Sequence, residues 1–178
     1  MTKTNILITG PPRCGKTTLI RKVVGRIERP ATGFYTLEIR EKGRRVGFSI
    51  NTLDGREGIL AHEDIKSQLR VGKYGVNLKD IDSLAVPAMI PARKGEIVVI
   101  DEIGKMECFS WLFKETLIRV LGSSNRMIGS IAEKGDHFIQ RIKQRDDVMV
   151  IMITTQNRVG LVDQLLDSLK TQYQSNTD

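Results

Sequence analysis

Apolar residues fall along the chain in two patterns. Short unbroken runs, Asn5–Thr9 (NILIT) and Glu96–Ile100 (EIVVI), predict strands covered on both faces, as in a parallel sheet. Arg126–Ala132 and Val148–Thr154 predict two more. Between these runs the apolar positions take helical spacing. Leu19, Val23 and Ile27 predict a helix over Thr17–Ile27, closed by Pro30. Ser110–Leu121, His137–Gln144 and Val159–Leu169 read the same way. This alternation predicts an α/β fold, a mainly parallel sheet with helices on both faces.

The stretch between the first helix and Glu96 departs from it. Gly33–Ile39 and Arg45–Thr52 flank Glu41-Lys42-Gly43-Arg44 and predict an antiparallel hairpin insertion. Leu53-Asp54-Gly55 reads as a turn, Gly58–Ala61 as a short strand and Arg70–Gly75 as a basic, glycine-containing loop. Asn77 can cap a helix through Ile81 and Leu84, which Pro87 and Pro91 limit or kink. With no repeat and no linker, residues 1–170 are expected to form one domain and 171–178 a polar tail.

Composition narrows the class without naming a partner. The 178 residues are 40% hydrophobic and 28% charged, ordinary for a globular protein. Two cysteines make no disulfide scaffold. The polar N-terminus lacks the apolar stretch of a secretory signal, and no run is long enough to span a membrane, so the expected location is the cytoplasm. The net charge of +7 fits a polyanion. Arg40, Lys42, Arg44 and Arg45 cluster at the hairpin tip without the interleaved aromatics of a base-stacking platform. They read as solvated turn charge, so nucleic acid is not indicated. His62 and His137 lack metal-ligand spacing.

The chemistry concentrates after the first strand. Gly10-Pro11-Pro12-Arg13-Cys14-Gly15-Lys16-Thr17 fits G-x-x-x-x-G-K-[ST] between a predicted strand and a predicted helix. Gly10 and Gly15 allow backbone angles that leave room for phosphate oxygens. Successive N–H groups near Gly15–Thr18 form an anion nest at a helix N-terminus. Lys16 can bridge the β- and γ-phosphates, and Thr17 can place its hydroxyl on Mg²⁺. The implied ligand is a nucleoside triphosphate such as ATP or GTP, held by Gly10 through Thr18. Cys14 lies inside this loop, where a thiolate would be favoured and alkylation would block the nucleotide, or it fills space under the loop with its sulfur toward the core.

Such a site needs a carboxylate from the end of another buried strand. Asp101 follows Ile97–Ile100 and supplies it, holding Mg²⁺ through a bound water. Glu102 comes next and can deprotonate the attacking water.

Ile100-Asp101-Glu102-Ile103-Gly104-Lys105-Met106-Glu107 together with the phosphate loop resembles the THEP-type nucleoside triphosphatases. Gly33-Phe34-Tyr35-Thr36, Tyr74-Gly75-Val76-Asn77 and Thr155-Gln156-Asn157-Arg158 resemble them too. The resemblance spans most of the chain. It implies a RecA-like P-loop fold and slow, Mg²⁺-dependent hydrolysis of several triphosphates. Arg13 stands where that family often has glycine, and the helix before Glu96 is short.

Lys105 can bring positive charge to the leaving phosphate, or simply face solvent. Glu107 can join it in a polar network or sit as a helix N-terminal carboxylate. Asn157 and Arg158 follow the last strand, where the nucleobase lies in many P-loop sheets. Arg158 can stack on the base, and Asn157 can equally start the helix. Three functions fit: a triphosphate hydrolase, expected to be monomeric; a kinase for a nucleoside, nucleotide or polynucleotide end; and a binding module timed by hydrolysis.

Overall fold

The computed structural model describes residues 5–154 and 156–171. The polar tail expected at 171–178 lies outside them apart from Thr171, as does Thr155. One nine-stranded sheet runs through the molecule in the order β5-β6-β4-β3-β2-β7-β8-β1-β9. Its strands are β1 Asn5–Thr9, β2 Ala31–Glu41, β3 Arg44–Thr52, β4 Glu57–His62, β5 Arg70–Val71, β6 Tyr74–Val76, β7 Ile97–Ile103, β8 Arg126–Ile131 and β9 Val148–Met152.

From β2 to β9 every pairing is parallel. Alternate residues on these strands feed two cores. Ile6, Ile8, Ile97, Val99 and Ile128 pack with Leu19, Ile20 and Val23 of α1 (Lys16–Val24) and Leu161, Leu165 and Leu166 of the C-terminal helix Arg158–Thr171. Leu7, Val98, Ile100 and Met127 face the other way. They meet Phe113 and Leu117 of the helix Trp111–Leu121 and Ile139 and Ile142 of the helix His137–Lys143. Burial on both sides explains why these strands read as unbroken apolar runs. The expected α/β architecture with helices on both faces is present.

The antiparallel part reaches further than one hairpin. Lys42 and Gly43 both have positive φ, 48° and 79°. This two-residue turn matches the twist of β2 and β3. The sheet then continues through β4 and β6 to β5. The stretch Arg70–Gly75, expected to be a loop, is a small ribbon in which Arg70 pairs with Gly75 and Val71 with Tyr74. Strands of two and three residues are too short to show alternation.

The segment 78–88 is helical throughout. Asn77 caps it by accepting from the Asp80 N–H at 3.3 Å. A π turn spans Ile81–Ala85. The Val86 N–H bonds back to the Ile81 carbonyl, and Pro87, which has no N–H to place, follows at the start of the last turn. The run therefore passes Pro87 and stops at Ala88. The first helix is shorter than its spacing predicts, because Gly25 closes it after Val24.

Candidate active site

The parallel strands end along one edge of the sheet, and the loop after β1 opens there. Gly10 and Gly15 have φ of 152° and 100°. A Cβ on Gly10 would come within 2.9 Å of Ile153 and 3.1 Å of the Cys14 sulfur. The loop thus folds over its own cysteine, which lies half-buried against the α1-side core. Arg13 also has a positive φ, 64°. A residue with a Cβ is strained in that conformation, which glycine adopts freely. No side chain caps the N-terminus of α1, so its first N–H groups stay open to an anion.

Lys16 does not reach into solvent. Its ammonium donates to the carbonyls of Gly10 at 2.9 Å and Pro11 at 3.3 Å. It lies 3.7 Å from a carboxylate oxygen of Glu102. Asp101 and Glu102 belong to β7 itself, which continues to Ile103 rather than ending at Ile100. Its register against β8 slips between Ile100 and Ile103, and the acidic pair falls at that slip. A local irregularity of this kind re-aims side chains at a strand end.

Asp101 is 1% exposed. Ser130 of β8 donates its hydroxyl to Asp101 Oδ1. The other oxygen, Oδ2, is buried and has no hydrogen-bond partner. Burial raises the Asp101 pKa, while Ser130, the nearby Thr17 hydroxyl and the Lys16 charge pull it back. Burial raises that of Glu102 as well; Lys16 opposes this and the Asp101 charge adds to it. An orphaned carboxylate oxygen beside a threonine hydroxyl suits a hard cation. Among the described residues no cluster of three His, Cys, Asp or Glu could hold a metal. A cation here would therefore draw its remaining ligands from phosphate and water.

Two residues carry roles that the sequence did not reveal. Ser130 is fully buried and reaches Asp101 only because β8 lies beside β7. Glu107 stands at the start of a short helical turn, one of its two expected places, and makes no ion pair with Lys105. It occupies the 3-10 turn Glu107–Phe109 and is 4% exposed. A Cβ on Gly104 would lie 2.9 Å from one Glu107 oxygen and 3.1 Å from one of Glu102, so both carboxyls converge over that glycine. Burial, then the Glu102 and Asp101 charges, push Glu107 up to about 8. Lys105 is exposed and lines the same cleft.

Two clefts flank the phosphate loop. One, of about 340 Å³, lies between α1 and the C-terminal helix and is lined by Thr18, Lys22, Arg158, Val159 and Val162. Arg158 is thus placed beside the loop. Asn157 is not free in the same way: its side chain accepts from the Thr154 N–H at 2.8 Å and donates to the Met152 carbonyl at 2.9 Å. It fastens the turn into the helix. The other cleft, of about 540 Å³, lies on the Glu102 side, against β2–β5. At the hairpin tip the three arginines are paired, Arg40 and Arg45 with Glu38 and Arg44 with Glu63.

A family model described as NTPase matches residues 5–166. Nucleoside-triphosphatase THEP1 of Thermotoga petrophila is 46% identical over 174 residues, 97% of each chain. The human cancer-related nucleoside-triphosphatase is 38% identical over 184 aligned residues, 94% of this chain and 97% of its own. The crystal structure of THEP1 from the hyperthermophile Aquifex aeolicus superposes with a TM-score of 0.85 at 33% identity, covering 93% of this chain and 99% of that one. The solution structure of the human protein gives 0.81 at 34% identity, covering 94% and 98%.

Proposed function

Because this chain belongs to the NTPase family, we propose that its triphosphate hydrolysis takes place between Lys16 and Glu102, depends on Mg²⁺ and accepts several nucleotides. The observation that carries this reading is the 3.7 Å approach of Glu102 to Lys16 in the cleft beside the phosphate loop. The lysine marks where the γ-phosphate would lie, and the carboxylate stands at its side.

Lys16 and the open N–H groups of α1 bind the β- and γ-phosphates and offset the charge that develops on them. Glu102 takes a proton from the attacking water as the new O–P bond forms. The bond from the γ-phosphorus to the bridging oxygen breaks, and the diphosphate leaves. A carboxylate whose pKa is raised by burial is a better base at neutral pH than an exposed one. Thr17 and the unpartnered oxygen of Asp101 would hold Mg²⁺, which supplies charge neutralisation to the phosphates when bound. Ser130 fixes the Asp101 carboxyl so that this oxygen points one way.

Broad nucleotide use follows from the other cleft. Val159, Val162 and the Arg158 guanidinium offer a base faces to stack on, and stacking does not read base edges. Turnover is expected to be slow, because Lys105 is exposed and unpaired among the described residues, so this added cation is not preorganised.

The test is phosphate release from ATP, GTP, CTP and UTP, with Mg²⁺ and with chelator, for the parent and Glu102→Gln. The parent should use all four in a Mg²⁺-dependent manner. The variant should lose about 10²-fold in rate while keeping its affinity for Mg²⁺-nucleotide. A parental rate in Glu102→Gln, or release indifferent to chelator, overturns the reading.

A further inference from the structure

Hydrolysis leaves most of the Glu102-side cleft unexplained. The reaction needs a γ-phosphate and one water there, and a water takes about 30 Å³. The cleft holds about 540 Å³ and runs away from the phosphate loop, along the antiparallel strands. Its far wall is apolar, built from Phe48, Leu60 and Val71 of three successive strands. Its rim carries Arg13, Arg45, Lys105 and Lys134.

Arg13 and Arg45 share one carboxylate, Glu38, so the rim keeps a surplus of positive charge. Lys105 and Lys134 are exposed and make no ion pair among the described residues. Arg45 is held firmly at one end. Its Nε donates to the Tyr74 hydroxyl at 3.1 Å and its Nη1 to Glu38 at 2.8 Å, and the guanidinium lies 5.0 Å from the centre of the Phe48 ring. Its Nη2 donates to nothing among the described residues. A guanidinium fixed on an aromatic wall with one arm free is preorganised for an anion. At the inner end of the same cleft stand the carboxyls of Glu102 and Glu107.

We propose that this cleft binds a small organic anion with an apolar body and a free hydroxyl, and that the hydroxyl accepts the γ-phosphoryl group in place of water. The inference rests on the reading of Glu102 as the base. An acceptor that attacks through its own phosphate would gain nothing from a base and would be repelled by the Glu102 carboxylate. A hydroxyl must lose a proton, and Glu102 is placed to take it. In the step, the acceptor oxygen bonds to the γ-phosphorus as its proton passes to Glu102. The bond from phosphorus to the bridging oxygen breaks, and its electron pair leaves with the nucleoside diphosphate. The products are a phosphomonoester, the diphosphate and a proton.

The experiment follows γ-radiolabelled ATP with the intact protein and Mg²⁺. Two probes carry all three features, 4-(hydroxymethyl)benzoate and adenosine 3′-monophosphate. Benzyl alcohol lacks the charge and glycolate lacks the apolar body. Label should appear on at least one of the first two, with ADP exceeding free phosphate, and on neither control. Lys134→Glu should lower the ratio of transferred to free phosphate by about tenfold, since it reverses one rim charge. Equal ADP and phosphate with every probe at millimolar concentration overturns the proposal, as does equal transfer to probes and controls. Phosphate release without any probe, in the same assay, reports separately on the hydrolysis proposed above.

Discussion

The two halves of the sheet are built on different principles. From the first half of β2 to β9 the strands are parallel and covered on both faces, and their charged side chains are few and mostly buried. From the second half of β2 to β5 they are antiparallel, and charge lies on the surface in pairs. Glu38 gathers Arg40 and Arg45, while Glu63 gathers Arg44 and Lys73. In the first half a carboxyl is perturbed by burial, as Asp101, Glu102 and Glu107 are. In the second it is perturbed by its partners, which hold Glu63 down to about 2. The cleft beside Glu102 joins the halves. Burial perturbs the carboxyls there, and paired surface charge borders the opposite wall.

Four substitutions test this contrast. The largest effect belongs to Lys16→Ala. Phosphate release should fall by about 10³-fold, with thermal unfolding little changed, because the ammonium bonds only loop carbonyls and Glu102. Near-parental turnover by the folded variant would remove the phosphate loop from the reaction.

Ser130→Ala comes next. It removes the donor that fixes Asp101, so Mn²⁺ titrated against the protein with a non-hydrolysable triphosphate analogue should bind about tenfold more weakly. Unaltered Mn²⁺ binding would show that Asp101 needs no help from β8.

Glu107→Gln addresses burial itself. The folded state holds a proton on Glu107 up to about pH 8, whereas the unfolded chain releases it in the ordinary carboxylate range. The folded state therefore binds more protons between those limits, and stability falls as pH rises through them. The amide cannot ionise, so melting temperatures across this window should decline less in Glu107→Gln than in the parent. Parallel declines would place the ionised carboxylate comfortably in the fold.

The smallest effect is expected for Glu63→Gln. It breaks pairs with Arg44 and Lys73 in water, where exposed ion pairs contribute little. The depressed pKa works in the opposite direction to Glu107: its contribution is present above the ordinary carboxylate range and is lost as pH falls toward about 2. The melting temperature at neutral pH should barely move. A large fall would mean that surface charge holds the antiparallel half together, and the contrast between the halves would fail.

Most of the parallel half was legible in the sequence. Runs such as NILIT and EIVVI need no partner to announce a strand buried on both faces, and helical spacing marked what lay between them. The phosphate loop was equally plain, because glycine, lysine and threonine at those separations serve local backbone geometry. Asp101 and Glu102 followed from their place at a strand's end. Ser130, the burial of Glu107 and the wall of Phe48, Leu60 and Val71 were not legible. Each depends on which strand lies beside which, or on how a turn folds back over Gly104, and these contacts join residues far apart in the chain. Periodicity records only whether a residue faces a core. Which carboxyl loses its water, and which cation faces it across a cleft, is decided by packing, since the desolvation that sets their chemistry exists only once the sheet has closed.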